Sequence, residues 1–566
     1  MSDARKSIFI QVFLLMFVLT FFFAQCKKTS TPSPSPPPPP PAPVSFSFNA
    51  LKVNGQFNGF TYYNINPIPV LKFSFLAPVN RSTVSSSFSF RQKSGGTVTY
   101  MASYENNDST IVIQPSSALN YLTQYSVSVS TALKSSAGGS LLSGIDVNFT
   151  TQIDSSRKFP LITDNALLDL VQQQTFKYFW DFAHPVSGLA RERNTSGETV
   201  TSGGSGFGIM AIPVAINRNF ITRAQGLARM QTIVNFLKNI AQKFHGAFPH
   251  WLNGSTGVVI PFSTKDNGAD LVETSYLIQG LLCARQYFKD AGTAETALRN
   301  DINSICNAVE WSWFRQGNQN TLYWHWSPSY GWEMNMQIRG WNECLITYVL
   351  AASSTTFGIP AIVYNNGWKG APGFVNGNSY YGYQLPLGPA QGGPLFFSHY
   401  SFLGINPNGL TDASANYATQ TKNHTLINYN YCKANPKSFF GYSDSVWGLT
   451  DSDIENGYTA SSPTNDVSVI APTAALSSFP YTPNESMAAL KFFYYVLGDK
   501  IWKEYGFTDA FSLHTTWFAN SFLAIDQGPI IIMIENYRTG LLWNLFTSCP
   551  EVKAGMQSLG FTSPYL

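Results

Sequence analysis

Charge is scarce in this sequence, and no single sign of it dominates. Asp, Glu, Lys and Arg make up 12% of 566 residues, and the formal net charge is +3. No Lys/Arg-rich stripe offers to neutralise phosphates, which speaks against nucleic acid as a partner. Cysteine is scarce too. Beyond Cys26 there are Cys283, Cys306, Cys344, Cys432 and Cys549, scattered and odd in number. Their spacing suggests neither zinc nor a disulfide framework, so they read as buried small hydrophobes. Also missing are a GxSxG elbow, a P-loop and HExxH, which leaves esterase, nucleotide and zinc-protease readings without support. What is plentiful is aromatic surface: Phe, Trp and Tyr reach 15%, with 13 Trp and 28 Tyr. Such rings suit a core, and equally suit stacking on sugars.

A chain this long exceeds one core and divides into parts. Arg5 and Lys6 precede the apolar run "IFIQVFLLMFVLTFFFA", which ends at Cys26. This reads as a sorting signal, and "FFFAQCKKTS" looks like a bacterial lipoprotein signal over residues 1–26, with Cys26 lipidated at the outer membrane of the cell envelope. Gln25 departs from the small residue usual before that cysteine, so a transmembrane anchor or a conventional cleavage stays open. Residues 27–43 contain "TSTPSPSPPPPPPAP", a proline-rich extended tether.

Over residues 44–154 the pattern has period two, in "VSFSFNALKV", "VLKFSFLAPV", "STIVIQP", "QYSVSVSTAL" and "IDVNFTTQ". Short strands between Gly, Ser and Asn turns predict an all-β sandwich. The stretch resembles bacterial immunoglobulin-like modules, with no reactive constellation, so it reads as a spacer, with glycan binding as the alternative. Over residues 160–566 the period becomes helical. Leu227, Met230, Val234, Leu237, Ala241 and Phe244 share a face, as do Leu298, Ile302, Ile305 and Val309. Similar runs begin at Asn165, Asp270, Asn342, Asn484 and Pro529. Helix hairpins with loops rich in Trp, Tyr, Asn and Asp predict an all-α (α/α)6 toroid rather than a solenoid, since no fixed repeat of roughly 34 to 47 residues recurs.

"KDNGADLVETSYLIQGLL" puts three carboxylates into an apolar helix. If helical from Asp266, then Asp266, Asp270 and Glu273 form one stripe at i, i+4, i+7, which costs repulsion. Calcium ligation lacks the required loop spacing, N-terminal capping would use Asp266 alone, and acids lining a sugar cleft would explain all three. Glycoside hydrolysis by inversion needs a partner carboxyl about 6.5 to 9.5 Å away, and Glu343 in "YWHWSPSYGWEMNMQIRGWNECLITY" is the candidate acid. Trp341, Cys344 and Leu345 would raise its pKa, while Arg339 could oppose that or simply pair with it. Trp324, His325, Trp326 and Trp332 offer stacking platforms in the same segment. "GYSDSVWGLTDSD" and "AIDQGPIIIMIENYRTG" add Asp444, Trp447, Asp526 and Gln527, and Glu535 and Arg538 could pair with each other.

These blocks, with "IRGWNECLITYVLAASS" and "APTAALSSFPYTPNESMAALKFFY", together resemble glycoside hydrolase family 144, the endo-β-1,2-glucanases, over residues 160–550. The resemblance implies the toroid, inverting hydrolysis of linear or cyclic β-1,2-glucan to sophoro-oligosaccharides, and no metal or other cofactor. It places catalytic acids at Asp266, Asp270, Glu273 and Glu343. Related exo enzymes release sophorose, so endo and exo action both stay open, as does a glycan-binding lipoprotein without catalysis.

Overall fold

A computed structural model describes residues 44–566; the expected signal, Cys26 and the proline-rich tether lie outside them. Among the described residues no helix is long and apolar enough to cross a membrane.

The first part is a two-sheet sandwich. Strands β1 (Phe48–Val53), β3 (Leu71–Phe75), β6 (Thr110–Pro115) and β5 (Tyr100–Glu105) form one sheet. Strands β2 (Thr61–Ile65), β8 (Ile145–Thr151), β7 (Gln124–Val129) and β4 (Phe88–Gln92) form the other, with β2 and β8 parallel. Alternation drives the packing: Leu71, Phe73 and Phe75 of β3 face Tyr125, Val127 and Val129 of β7 in one core, while the intervening residues are more exposed. The sandwich does not float free. Leu122 is buried in the core of the helical part, and the Tyr63 ring stacks on His514 at 4.5 Å while its hydroxyl bonds His514 Nε2 at 3.1 Å.

From Asp164 onward the chain forms helix pairs, the outer member preceding the inner. The outer helices are α1 (Asp164–Trp180), α3 (Arg223–Asn239), α5 (Thr293–Ala308), α7 (Tyr417–Ala434) and α9 (Pro483–Tyr495). Their inner partners are α2 (Ser202–Asn217), α4 (Leu271–Tyr287), α6 (Leu345–Ser353), α8 (Pro472–Leu476) and α10 (Ala524–Thr539). One further pair is reduced to the Ala361–Val363 and Tyr364–Trp368 turns outside and the Ser401–Leu403 turn inside. α2 packs on α4 and α10, α4 on α6, the Ser401–Leu403 turn on α6 and α10, and α8 on α10, so six inner elements make the inner layer of an (α/α)6 toroid.

Outer helices show the expected stripe, as in Leu298, Ile302 and Ile305 of α5. Inner helices are buried nearly all round, α4 from Leu271 through Ala284. α2, "SGGSGFGIMAIPVAIN", carries no periodic signal and was not anticipated. Its glycines cost helix propensity, yet a Cβ on Gly206 would lie 2.2 Å from the Tyr276 carbonyl oxygen. A Cβ on Gly280 would lie 2.2 Å from the Gly206 carbonyl oxygen, so both glycines permit the α2–α4 approach. The expected start of the last run at Pro529 is corrected to Ala524, with Pro529 inside α10.

Candidate active site

The N-termini of the inner helices converge on a cavity of about 450 Å³, lined among others by Glu192, Arg193, Glu273, Tyr276, Trp324, Glu343, Tyr400 and Asp451. The first correction concerns the stripe. α4 begins at Leu271, so Asp266 and Asp270 do not share its face. Asp270 ends a two-residue strand, Ala269–Asp270, paired with His325–Trp326. It also caps α4, its Oδ1 accepting from the Val272 and Glu273 amides at 2.9 Å, a role expected of Asp266. Gly268 lets this segment in, since a Cβ there would meet the Trp326 carbonyl oxygen at 2.3 Å.

The acids nevertheless meet, because histidines stand between them. Asp270 Oδ2 lies 3.2 Å from His250 Nδ1, 3.5 Å from His325 Nε2 and 3.3 Å from Trp324 Nε1. Asp266 Oδ2 lies 3.4 Å from His325 Nε2. Burial would raise Asp270, but the hydrogen bonds and charges of both histidines outweigh it and hold the carboxyl well below the usual range. Burial alone would lower His250, yet Glu273 and Asp270 lift it to about 9. Asp266 is raised to about 6 by burial and the neighbouring Asp270 charge. Ligand atoms of His250, Asp266 and Asp270 lie within 4.8 Å of one another, close enough to share an ion. In the protein itself these carboxylates are already matched by imidazoles, which makes the group an ion-pair cluster.

Glu273 borders the cavity, accepting from the Gly203 amide at 2.8 Å and the Thr201 hydroxyl at 3.3 Å, and burial raises its pKa. Glu343 sits in the turn before α6, and its backbone carbonyl accepts from Ser401 Oγ. Burial, reinforced by Asp451, Glu273 and Asp270, pushes its carboxyl up to about 8. Arg339 does not oppose this: it is exposed and bonds Gly367 O, Gly370 O and Gln337 Oε1, each at 3.3 Å. A carboxyl that remains protonated at neutral pH in a sugar-sized pocket can act as an acid.

Asp451, absent from the candidates read from sequence, lines the same cavity on the hairpin Asp451–Ile454/Gly457–Ala460. Its Oδ2 accepts from Tyr458 at 2.8 Å and its Oδ1 from Thr450 at 3.2 Å and Tyr400 at 3.5 Å. Burial raises it against these bonds. The signal was present in "TDSDIENGYT", where Asn456-Gly457 between alternating residues marks a hairpin.

Other candidates fall outside the cavity. Asp444 is exposed. Trp447 is fully buried, its Nε1 donating to Glu485 O at 3.3 Å, and Trp341 packs among Trp368, Phe374, Phe402 and Tyr417. Trp326 and Trp332 pack on Trp313 at 5.3 and 4.7 Å, leaving Trp324 as the cavity-lining member of the proposed tryptophans. Gln527 donates to Phe507 O at 2.9 Å. Asp526 is buried behind the wall beside Asp509, and burial and Asp509 raise it well above the usual range. Glu535 pairs with Arg218 at 2.7 Å and Arg538 with Asp169 at 2.6 Å, so they do not pair with each other.

Comparison with known proteins sets this geometry in a family. The glycoamylase (glucoamylase) family model matches residues 335–550, and the bacterial Ig-like domain model matches residues 62–151. An exo β-1,2-glucooligosaccharide sophorohydrolase (non-reducing end) of Parabacteroides distasonis is 45% identical over 432 residues, 72% of this chain and 60% of that protein's length. The endo-β-1,2-glucanase of Chitinophaga pinensis, solved with sophorotriose and glucose, is 52% identical, with a TM-score of 0.70 over 72% of this chain and 100% of its own. A β-1,2-glucanase structure from Parabacteroides distasonis is 37% identical, with a TM-score of 0.70 over 93% of this chain and 74% of its own. The chain therefore belongs to the glycoamylase-like family of the glycoside hydrolase family 144 type, with a bacterial immunoglobulin-like domain ahead of its helical toroid.

Proposed function

We propose that this chain hydrolyses β-1,2-glucan in the cavity between Glu343 and Asp451. The observation that carries the reading is Glu343, a carboxyl raised to about 8 in a pocket lined by Trp324, Tyr400 and Tyr458. Glu343 donates its proton to the glycosidic oxygen as the bond to the anomeric carbon breaks. A water molecule attacks that carbon from the opposite face, with inversion, and its proton passes to Asp451. Asp270 suits the base less well than Asp451. Two amides, two imidazoles and an indole already occupy its oxygens, leaving little capacity to accept from water. Names of similar proteins, a β-1,2-glucanase and a sophorohydrolase, support the substrate class.

Purified protein incubated with linear β-1,2-glucan should release sophoro-oligosaccharides and leave laminarin and carboxymethylcellulose intact. Cleavage of a control instead would overturn the linkage assignment. The name of the 45% identical relative supports exo action and that of the 52% identical relative supports endo attack, so the product pattern distinguishes them. Sophorose as sole product from the first minutes supports exo action, whereas a ladder of lengths supports endo attack. The apolar run ending at Cys26 and the tether after it support attachment to the outer membrane of a bacterial envelope, on its periplasmic or surface face.

A further inference from the structure

Two donors in the cavity wall lack what buried donors almost always have. Tyr276 of α4 is 2% exposed, and its hydroxyl finds no hydrogen-bond partner among the described residues. Trp251, in the strand Trp251–Asn253, likewise has a buried Nε1–H without a partner. Both residues line the cavity that holds Glu343. Neither ring can turn away cheaply. Tyr276 packs against Phe207 and Tyr400 at 5.4 and 5.7 Å, and Trp251 against Phe262 at 4.9 Å. The surroundings of Tyr276 are acidic, with Glu343, Glu273 and Asp270 nearby, so its oxygen keeps its proton and acts as a donor. An indole can only donate.

Leaving a buried donor unmatched costs folding stability, and native proteins carry few such groups. Two in one cavity point to a partner that arrives with the ligand. We propose that the Tyr276 hydroxyl and the Trp251 Nε1–H donate hydrogen bonds to hydroxyl or ring oxygens of the glucosyl units on either side of the bond that Glu343 protonates. The inference deepens, and rests on, the reading of this cavity as a glucan site. It makes both residues specificity-determining. A site built to hydrogen-bond a ligand oxygen rejects ligands lacking it, because its donors are then left unpaired.

The test uses Tyr276→Phe and Trp251→Phe in the full chain, each alone and combined with Glu343→Gln so that ligand is bound without turnover. Unliganded Tyr276→Phe should melt at or above the parent temperature, since a phenylalanine of the same shape leaves no donor to satisfy; Trp251→Phe also loses ring packing on Phe262 and is read by its ligand response alone. The melting shift induced by sophorotriose in the Glu343→Gln background should shrink by at least half, and kcat/KM on β-1,2-glucan should fall at least tenfold in the single variants. A lower melting temperature of unliganded Tyr276→Phe would mean that its hydroxyl already has a protein partner, and would overturn the inference. An unchanged ligand shift and kcat/KM, with wild-type turnover intact, would mean that only water meets these donors, and would overturn it as well. Absence of wild-type turnover on β-1,2-glucan would overturn the substrate assignment on which the inference rests.

Discussion

At the scale of residues, proton affinity separates the carboxylates into roles. Glu343 is raised from 4.5 to about 8, so kcat/KM should fall on an alkaline limb near pH 8, where the acid loses its proton. Glu343→Gln should lower turnover about a hundredfold or more and remove that limb, read from pH–rate profiles of parent and variant. Stability gives an independent check. The native state keeps a proton that the unfolded chain releases above about 4.5, so this group's contribution is fully present below that pH and is lost as pH rises through 8. The melting temperature of Glu343→Gln should therefore gain on the parent between pH 5 and 9; a constant difference would contradict the raised value. Asp451 and Asp270 should part company. Asp451→Asn is expected to cut turnover by about a hundredfold with little change in melting, because burial already disfavours its charge. Asp270→Asn removes the one carboxylate that His250 and His325 share and should cost about 3 kcal/mol or more in denaturant unfolding. If Asp451→Asn retains full turnover, the base lies elsewhere.

At the scale of elements, the site depends on how closely α2 and α4 approach. α4 supplies Glu273 and Tyr276, and α2 supplies the Gly203 amide that holds Glu273. Gly280→Ala would press a methyl against the Gly206 carbonyl and should cost about 1–3 kcal/mol, measured by thermal or urea melting, with turnover falling as Glu273 shifts. Outer helices were legible as stripes because one face meets water. α2 was not, because a helix buried on every side has no polar face to mark its period, and its glycines mimic a loop. The same limit applies to a helix over Asp266–Glu273: carboxylates at helical spacing look alike whether they lie on a helix or, as here, on a loop, a strand end and a first turn.

At the scale of the whole molecule, the sandwich docks on the toroid through Leu122 and the Tyr63–His514 stack, away from the residues that line the cavity. Removing residues up to Asp154 should leave turnover of soluble glucan within about tenfold, roughly 1.4 kcal/mol in barrier. Melting should nevertheless fall, because Leu122 leaves a gap in the helical core. A larger loss of turnover with the toroid still folded would give the sandwich a part in the site. Cys26→Ser should move the protein from the membrane to the soluble fraction with activity unchanged; persistent membrane association would favour a transmembrane anchor.

The sequence by itself determined the division into a period-two part and a period-3.6 part, because alternation and helical stripes are local consequences of one buried face. It also marked Glu343 and the Asp266–Glu273 segment, since acids amid apolar residues stand out in any window. Tertiary structure decided which acid is protonated, which is paired and which meets the cavity. Those properties depend on burial and on groups far away in the chain: His250 and His325 tame Asp270, and Asp451, 108 residues after Glu343 in the numbering, shares its pocket. Only the closed ring of helices brings such groups within reach of one another's charge.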